Sequence, residues 1–547
     1  MQGYMPKLGL QNSVCAFVDP LQTPALSHTM RRTGEGVDMP VQDGAPSRAC
    51  YLSALKNFGI DFLLQHVMPG EAEHLAFIES MAQCPELGFM IANEFLNVNL
   101  FHEPHSNRGD FTAKTAAAAR CSPGFLGFLY DETEHLQVHP NIYRRDPNAQ
   151  TRWQWADPTG KSLDEAEDAV TAAVAEDARR LNSPLYSEHV FSILFHAFAR
   201  GGMNLMPKVM KEEYQSVQLA SAIGAATQYG VDFGICVDMW GTDVGPWFTR
   251  KWGFPGHSPV EFESALRMAW HFAPSLMFVE NIDPLLRLNA SNELVKTEFG
   301  EIYERFVREY APAHPLTYRF SDAVADTALV RSDDGLFAAG GTFDKRAMYG
   351  SSELTIDDHH RSIFKAWHML SHGTVPDDQI YYYGRRYASG KRHFTVTPET
   401  IKTLPLENGV PRSDGESVHG LFYPMRGVLA FDQHVGYGAL KAASLIVAAG
   451  SRMTPACANA MLRCASEGAT LVAAPWLMPR DCQKSRDIGS GKLIISETFS
   501  EADMLEQIRP HLGARDVWSQ RFGDQRLMIK SVSKDNEQLE LWTESIR

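Results

Sequence analysis

Short apolar runs alternate with amphipathic stretches along the first part of the chain. The runs Ser13–Val18, Ile60–Val67, Leu87–Glu94, Phe125–Asp131, Met203–Lys211, Val231–Asp238 and Ser275–Glu280 read as strands. Most are nearly continuous in apolar residues, as expected for strands covered on both faces. Helical patterns separate them. Glu71–Gln83 places Leu75, Ile78 and Ala82 on one face. Ser162-Leu-Asp-Glu165 reads as a capping box opening a helix to about Arg180. Tyr214–Tyr229, Pro259–Phe272 and the stripe Val295, Phe299, Ile302, Tyr303, Phe306 and Tyr310 follow the same logic.

Strand–helix repetition implies a parallel sheet. These seven strands, with an eighth expected near Leu316–Phe320, predict an α/β fold built on a (β/α)8 TIM barrel. An open doubly wound sheet would carry a Gly-rich phosphate turn after its first strand, and none is present. Polar stretches Pro20–Arg48, His102–Asp110 and His139–Gly160 follow strands, so they fall at the catalytic face of such a barrel.

A smaller α/β unit, flavodoxin- or amidotransferase-like, begins near Ala323. It shows strands at Thr327–Arg331, Ala443–Ala449 and Ala469–Ala474, and helices at His359–His372 and Pro455–Ser466. The tail carries one helix, Ser500–Leu512, and strands at Gln525–Val532 and Gln538–Trp542. The expected division is a barrel over 1–320, the second α/β unit over 321–490 and a short β-rich segment over 491–547.

Composition narrows the function. The 547 residues carry a formal charge of −15, against the basic footprint that nucleic acid or an anionic membrane surface needs. No apolar run reaches the ~20 residues of a membrane span, and the first residues lack a secretory pattern. The 8 cysteines form no C-x-x-C pair and suit no zinc or iron–sulfur spacing. A cytoplasmic protein with reduced thiols and no cofactor is the expectation.

Carboxylates end the candidate strands. Phe125-Leu-Gly-Phe-Leu-Tyr-Asp-Glu132 closes on Asp131 and Glu132, Lys208-Val-Met-Lys-Glu-Glu213 on Glu213, Gly234-Ile-Cys-Val-Asp238 on Asp238, and Leu276-Met-Phe-Val-Glu280 on Glu280. Glycoside hydrolysis needs two carboxyl groups facing each other across the scissile bond. Trp240, Trp247, Phe248, Trp252 and Phe254 follow closely, and flat indoles suit the C–H faces of sugars. Their alternative is a loop packing its own rings. His102 and His135 are candidate hydrogen-bonding partners for sugar hydroxyls. With no H-E-x-x-H and no H-x-H on the first strand, a catalytic metal is not expected. His359-His360 reads as a helix N-terminal feature. Gly450-Ser451-Arg452 sits where an amidotransferase would place its nucleophile, but lacks Cys and the flanking glycines, so the second unit is read as non-catalytic.

A barrel with carboxylates at its strand ends, an amidotransferase-like unit and a β tail resembles the family 42 β-galactosidases and related glycoside hydrolases. The resemblance implies an acid/base Glu ending strand four, matched by Glu132 in Leu129-Tyr-Asp-Glu132, and a nucleophile Glu ending strand seven, matched by Glu280 in Phe278-Val-Glu-Asn-Ile. Asp131 stands where the family usually has Asn. The implied activity is a two-carboxylate glycosidase on an oligosaccharide or glycan, retaining, with an inverting variant on the same residues as the sub-case that carboxyl separation decides. Asp131, Glu213, Asp238, Trp240, Trp247, Trp252, His102 and His135 would contact substrate. The implied assembly is a homo-oligomer, dimer or trimer, with Gln379–Tyr387 as a candidate contact. Two other readings stand beside it: a non-catalytic carbohydrate-binding barrel, and a metal-dependent hydrolase using His102, His105, His135 or Asp131.

Overall fold

A computed structural model describes residues 3–12, 19–21, 46–67, 70–93, 110–138, 154–210, 214–239, 258–280, 282, 284–332, 347–378, 380, 406–407, 410–411, 421–534 and 536–546. Strands β1 (Lys7–Asn12), β2 (Phe62–His66), β3 (Gly88–Ala92), β4 (Phe125–Tyr130), β5 (Leu185–His189), β6 (Asn204–Val209), β7 (Gly234–Asp238) and β8 (Leu276–Glu280) form a closed barrel. Every neighbouring pair is parallel, and β8 closes onto β1 with Lys7 opposite Leu276 and Leu10 opposite Val279.

The barrel is the expected one, but its strand numbering is not. The first strand is Lys7–Asn12; the expected Ser13–Val18 lies outside the described residues. Leu185–His189 is a strand that the apolar pattern did not reveal, because Ser187, Glu188 and His189 are polar yet fully buried. No eighth barrel strand forms near Leu316–Phe320; Leu316 makes only an isolated bridge to Tyr4. Pro315 just ahead has no N–H to give a ladder. Each strand from Asn204 onward therefore moves up one place.

The expected helices form where their caps predict. Ser162 accepts from Glu165 N–H and Glu165 returns the bond, opening Leu163–Leu181. Ser258 caps Pro259–His271. Gly230, in the left-handed region at φ +68°, ends Gln215–Tyr229. Asp357 and His360 form the reciprocal cap of Asp358–Leu370, the role expected for the His pair.

A six-stranded sheet follows, ordered Val428–Phe431, Thr327–Arg331, Leu445–Ala449, Thr470–Ala473, Gly491–Ile495 and Arg486–Ile488. The last is an antiparallel edge and the rest are parallel. The sheet thus runs past the expected boundary at 490. Trp518–Phe522, Gln525–Ser531 and Leu539–Ser545 join Ala323–Val324 in an antiparallel sheet. The larger sheet docks on the barrel helix Gln215–Tyr229. There the backbone is so close that a Cβ on Gly224 would lie 1.8 Å from the Ala430 carbonyl oxygen. Arg452, two residues past Gly450, pairs with Asp164 and Glu167 on the helix Leu163–Leu181, a docking role in keeping with a non-catalytic reading.

Candidate active site

Side chains alternate faces along a strand. In this barrel Leu8, Leu10, Leu63, Ile91, Phe128, Leu205, Val237 and Val279 pack outward against the helices. Phe62, Leu64, Met90, Leu129, Tyr186, Met206, Cys236 and Phe278 fill the interior. Two residues further along the same parity comes a polar layer: Gln11, His66, Asp131, Glu188, Lys208, Asp238 and Glu280, all buried. This inner apolar packing thus supports one polar level at the carboxyl ends of the strands, the end where barrels carry their chemistry.

Lys208 is the centre of that layer. Its Nζ lies 2.6 Å from Glu280 Oε2, 3.2 Å from Glu132 Oε1, 3.5 Å from Asp131 Oδ1, 3.5 Å from Asp238 Oδ2 and 3.7 Å from Glu188 Oε1. Cys236 Sγ donates to Glu280 Oε2 at 3.6 Å. His66 Nε2 lies 3.6 Å from the other Asp131 oxygen, and the Asp131 N–H donates to Asn93 Oδ1 at 3.0 Å. Glu132 has the wrong parity to face inward from a straight strand. Its backbone takes φ +41°, a conformation disfavoured for a residue with a side chain, and this turn lets Asp131 and Glu132 reach the same ammonium.

One ammonium faces five carboxylates. Burial works against the Lys208 charge, but Asp131, Glu188, Glu280 and Glu132 outweigh it and hold the amine protonated, well above its ordinary range. Burial pushes the Glu188 carboxyl well up, Lys208 opposes this, and Asp131 and Glu280 add to it. The Cys236 thiol is also driven up, first by burial and then by Glu188 and Glu280, so it is no nucleophile. Just outside the ring, Glu134 accepts from Val190 N–H at 2.6 Å and Phe191 N–H at 2.8 Å, fixing the chain that leaves β5. Its burial raises its pKa to about 8.

The structure brings together Glu132, Glu280, Asp131 and Asp238 from the sequence-predicted set. His135 is not part of the ring: on the short helix Glu134–Val138 it stacks on Phe191, with ring centroids 4.5 Å apart. Glu213, Trp240, Trp247, Trp252 and His102 lie outside the described residues. Glu280 ends β8, and β7 ends at Asp238. The strand-four position implied by the resemblance therefore holds for Glu132, whereas Glu280 stands one strand beyond the implied place.

Lys208, Glu188, His66 and Gln11 were not singled out from the sequence. The signal for them was a polar residue two places after an inward apolar one, legible only once the strand ends are known. Among the described residues, Glu188, Cys236 and Glu280 place ligand atoms within 4.8 Å of one another. Lys208 already supplies the positive charge there, 2.6 Å from Glu280.

No family model and no curated protein matches the chain. Among solved structures it is similar to a β-galactosidase from Bacillus circulans sp. alkalophilus, with a TM-score of 0.53, 9% identity and coverage of 96% of this chain and 93% of that one. An exo-β-1,4-mannosidase from Opitutaceae bacterium strain TAV5 aligns with a TM-score of 0.46 at 10% identity, covering 93% of this chain and 94% of that one. A GH42 β-galactosidase from G. stearothermophilus gives 0.46 at 8%, covering 96% and 92%. The likeness to the first of these places the chain in the same fold: a closed α/β barrel followed by further sheets and helices.

Proposed function

We propose that the protein is a glycoside hydrolase in which Glu280 attacks the anomeric carbon and Glu132 serves as acid and then base. The observation that carries this reading is the shared ammonium. Oxygens 2.6 and 3.2 Å from one Nζ cannot be further apart than about 6 Å, which suits the ~5–5.5 Å carboxyl separation of retaining enzymes.

Lys208 gives the pair different roles. The closer contact favours an ionised Glu280, as a nucleophile requires. Glu132 is the more exposed, its side chain 18% accessible against 9% for Glu280, so it can exchange a proton with solvent between the two steps. As Glu280 loses its charge to the glycosyl bond, Glu132 gains one by giving its proton to the leaving oxygen. An ammonium within reach of both follows that charge with little movement. The acidic ring selects a neutral or cationic sugar and repels a uronate.

We assign the substrate contacts to Asp131 and Asp238 in the ring, and, from the sequence, to Trp240, Trp247, Trp252, Glu213 and His102. A cytoplasmic homo-oligomer remains part of the proposal, with light scattering as its check: a mass near 61 kDa would reject assembly.

The depth of Glu280 and its ammonium contact favour one second reading, a non-catalytic carbohydrate-binding barrel. A panel of neutral aryl glycosides separates the two. Hydrolysis by the wild type, with Glu132→Gln and Glu280→Gln each lowering kcat by several orders of magnitude while melting normally, supports the glycosidase. Either variant keeping more than about a tenth of the activity removes that residue from its role.

A further inference from the structure

We propose that Gln11 is a sugar-binding residue that takes the hydroxyl beside the anomeric carbon; this deepens, and rests on, the glycosidase reading of Glu280. Gln11 follows Gly9 in the inward parity of β1, between the outward Leu10 and the end of the strand. A Cβ on Gly9 would run into the ring of Phe62, an interior residue, which fixes the direction of that face. The β1–β8 register pairs Gly9 with Phe278 and Leu10 with Val279, and its continuation sets Gln11 beside Glu280. The Gln11 carbonyl accepts from Ile282 N–H at 3.0 Å, two residues past Glu280, which ties the two strand ends together.

The Gln11 side chain is fully buried, yet neither its amide oxygen nor its amide nitrogen has a hydrogen-bond partner. Such groups are normally paired. The fold does pair amides where they serve structure. One position on, Asn12 Nδ2 donates to Asp19 at 3.0 Å and to Gln65 Oε1 at 2.7 Å, while Gln65 Nε2 donates to Asp19 at 3.1 Å. The register partner of Gln11 on β2 is Leu64, an apolar interior residue that offers the amide no hydrogen bond. A buried amide with a donor and an acceptor both idle is suited to a group that both donates and accepts. At the end of β3, Asn93 accepts from Asp131 N–H through its oxygen and leaves its own Nδ2 without a partner. A sugar hydroxyl fits the requirement of Gln11; a carboxylate lacks the donor and meets the acidic ring. With Glu280 attacking the anomeric carbon, the nearest remaining hydroxyl is the one on the adjacent ring carbon, and it is the one we assign to Gln11 beside Glu280.

The test uses the full-length protein and calorimetric binding of galactose, glucose and mannose alongside their 2-deoxy counterparts. The wild type should bind one parent sugar at least tenfold more tightly than its 2-deoxy form. Gln11→Met, which keeps the length and removes both amide functions, should melt no lower than wild type and lose that tenfold preference. Equal binding of parent and 2-deoxy sugars by the wild type overturns the proposal without recourse to any variant. So does a Gln11→Met protein that keeps the preference, as expected if a buried water alone serves the amide. A wild type that hydrolyses no aryl glycoside but shows the Gln11-dependent preference overturns the glycosidase reading and supports the hydroxyl contact.

Discussion

Lys208 on β6 and Glu280 on β8 meet across the barrel lumen, Nζ to Oε2, at 2.6 Å. With Lys208 1% and Glu280 7% exposed, neither charge is left to solvent. Their pairing organises the polar layer, because the same ammonium also holds Asp131, Glu132, Glu188 and Asp238.

Removing that ammonium leaves buried carboxylates without a counter-charge. Lys208→Met should therefore lose about 3–5 kcal/mol at pH 8, the usual cost of breaking a buried pair from one side. Protonating the carboxylates relieves their repulsion, so the deficit should shrink at pH 5. Urea melts of both proteins at the two pH values measure it. A deficit that does not depend on pH would mean that Lys208 contributes packing rather than charge.

Glu134 gives a prediction with a definite sign. Its folded-state pKa of about 8 lies above the ordinary 4.5 because of burial. Between those values the folded protein holds a proton that the unfolded chain has released. The contribution is complete below pH 4.5 and is lost as pH rises toward 8, with a slope of at most about 1.4 kcal/mol per unit. Glu134→Gln keeps an acceptor for Val190 and Phe191 N–H but does not titrate. Relative to wild type, it should gain stability steadily from pH 5 to 8.5. Parallel stability–pH curves for the two proteins would contradict this.

The docking of barrel and sheet is testable at one atom. Gly224→Ala introduces a Cβ 1.8 Å from the Ala430 carbonyl oxygen, a backbone atom that no side-chain rotation can move aside. A cost of about 1–3 kcal/mol is expected, with earlier proteolysis between the barrel and the sheet. Calorimetric melting and timed digestion read both. An unchanged melting profile would show that the contact opens freely.

The ring's charge predicts a selectivity. Aryl glucuronides and galacturonides should be turned over roughly a hundredfold less efficiently than the corresponding neutral glycosides, through like-charge repulsion. Comparable kcat/KM values on the two series would exclude the ring from the sugar-binding surface.

The sequence by itself determined the local elements and displayed the carboxylates on which the functional proposal rests. Buried strands and helix caps have local causes: apolar continuity in Phe125–Tyr130, the Ser162–Glu165 reciprocal bonds, the left-handed Gly230. It also exposed Glu132, Asp238 and Glu280, because a carboxylate closing an apolar run is visible without a structure. Tertiary structure decided which strands count and which charges meet. Leu185–His189 is polar in sequence because Glu188 faces Lys208 inside the barrel while His189 packs against Phe195 and Phe198 outside it. No local pattern announces a strand whose polar residues are paid for by partners on other strands. Lys208 escaped notice for the same reason: its charge is tolerated only because β4, β5, β7 and β8 each bring a carboxylate within 3.7 Å. Ring closure sets those distances through the register of each strand against the next, and that register exists only once the barrel has formed.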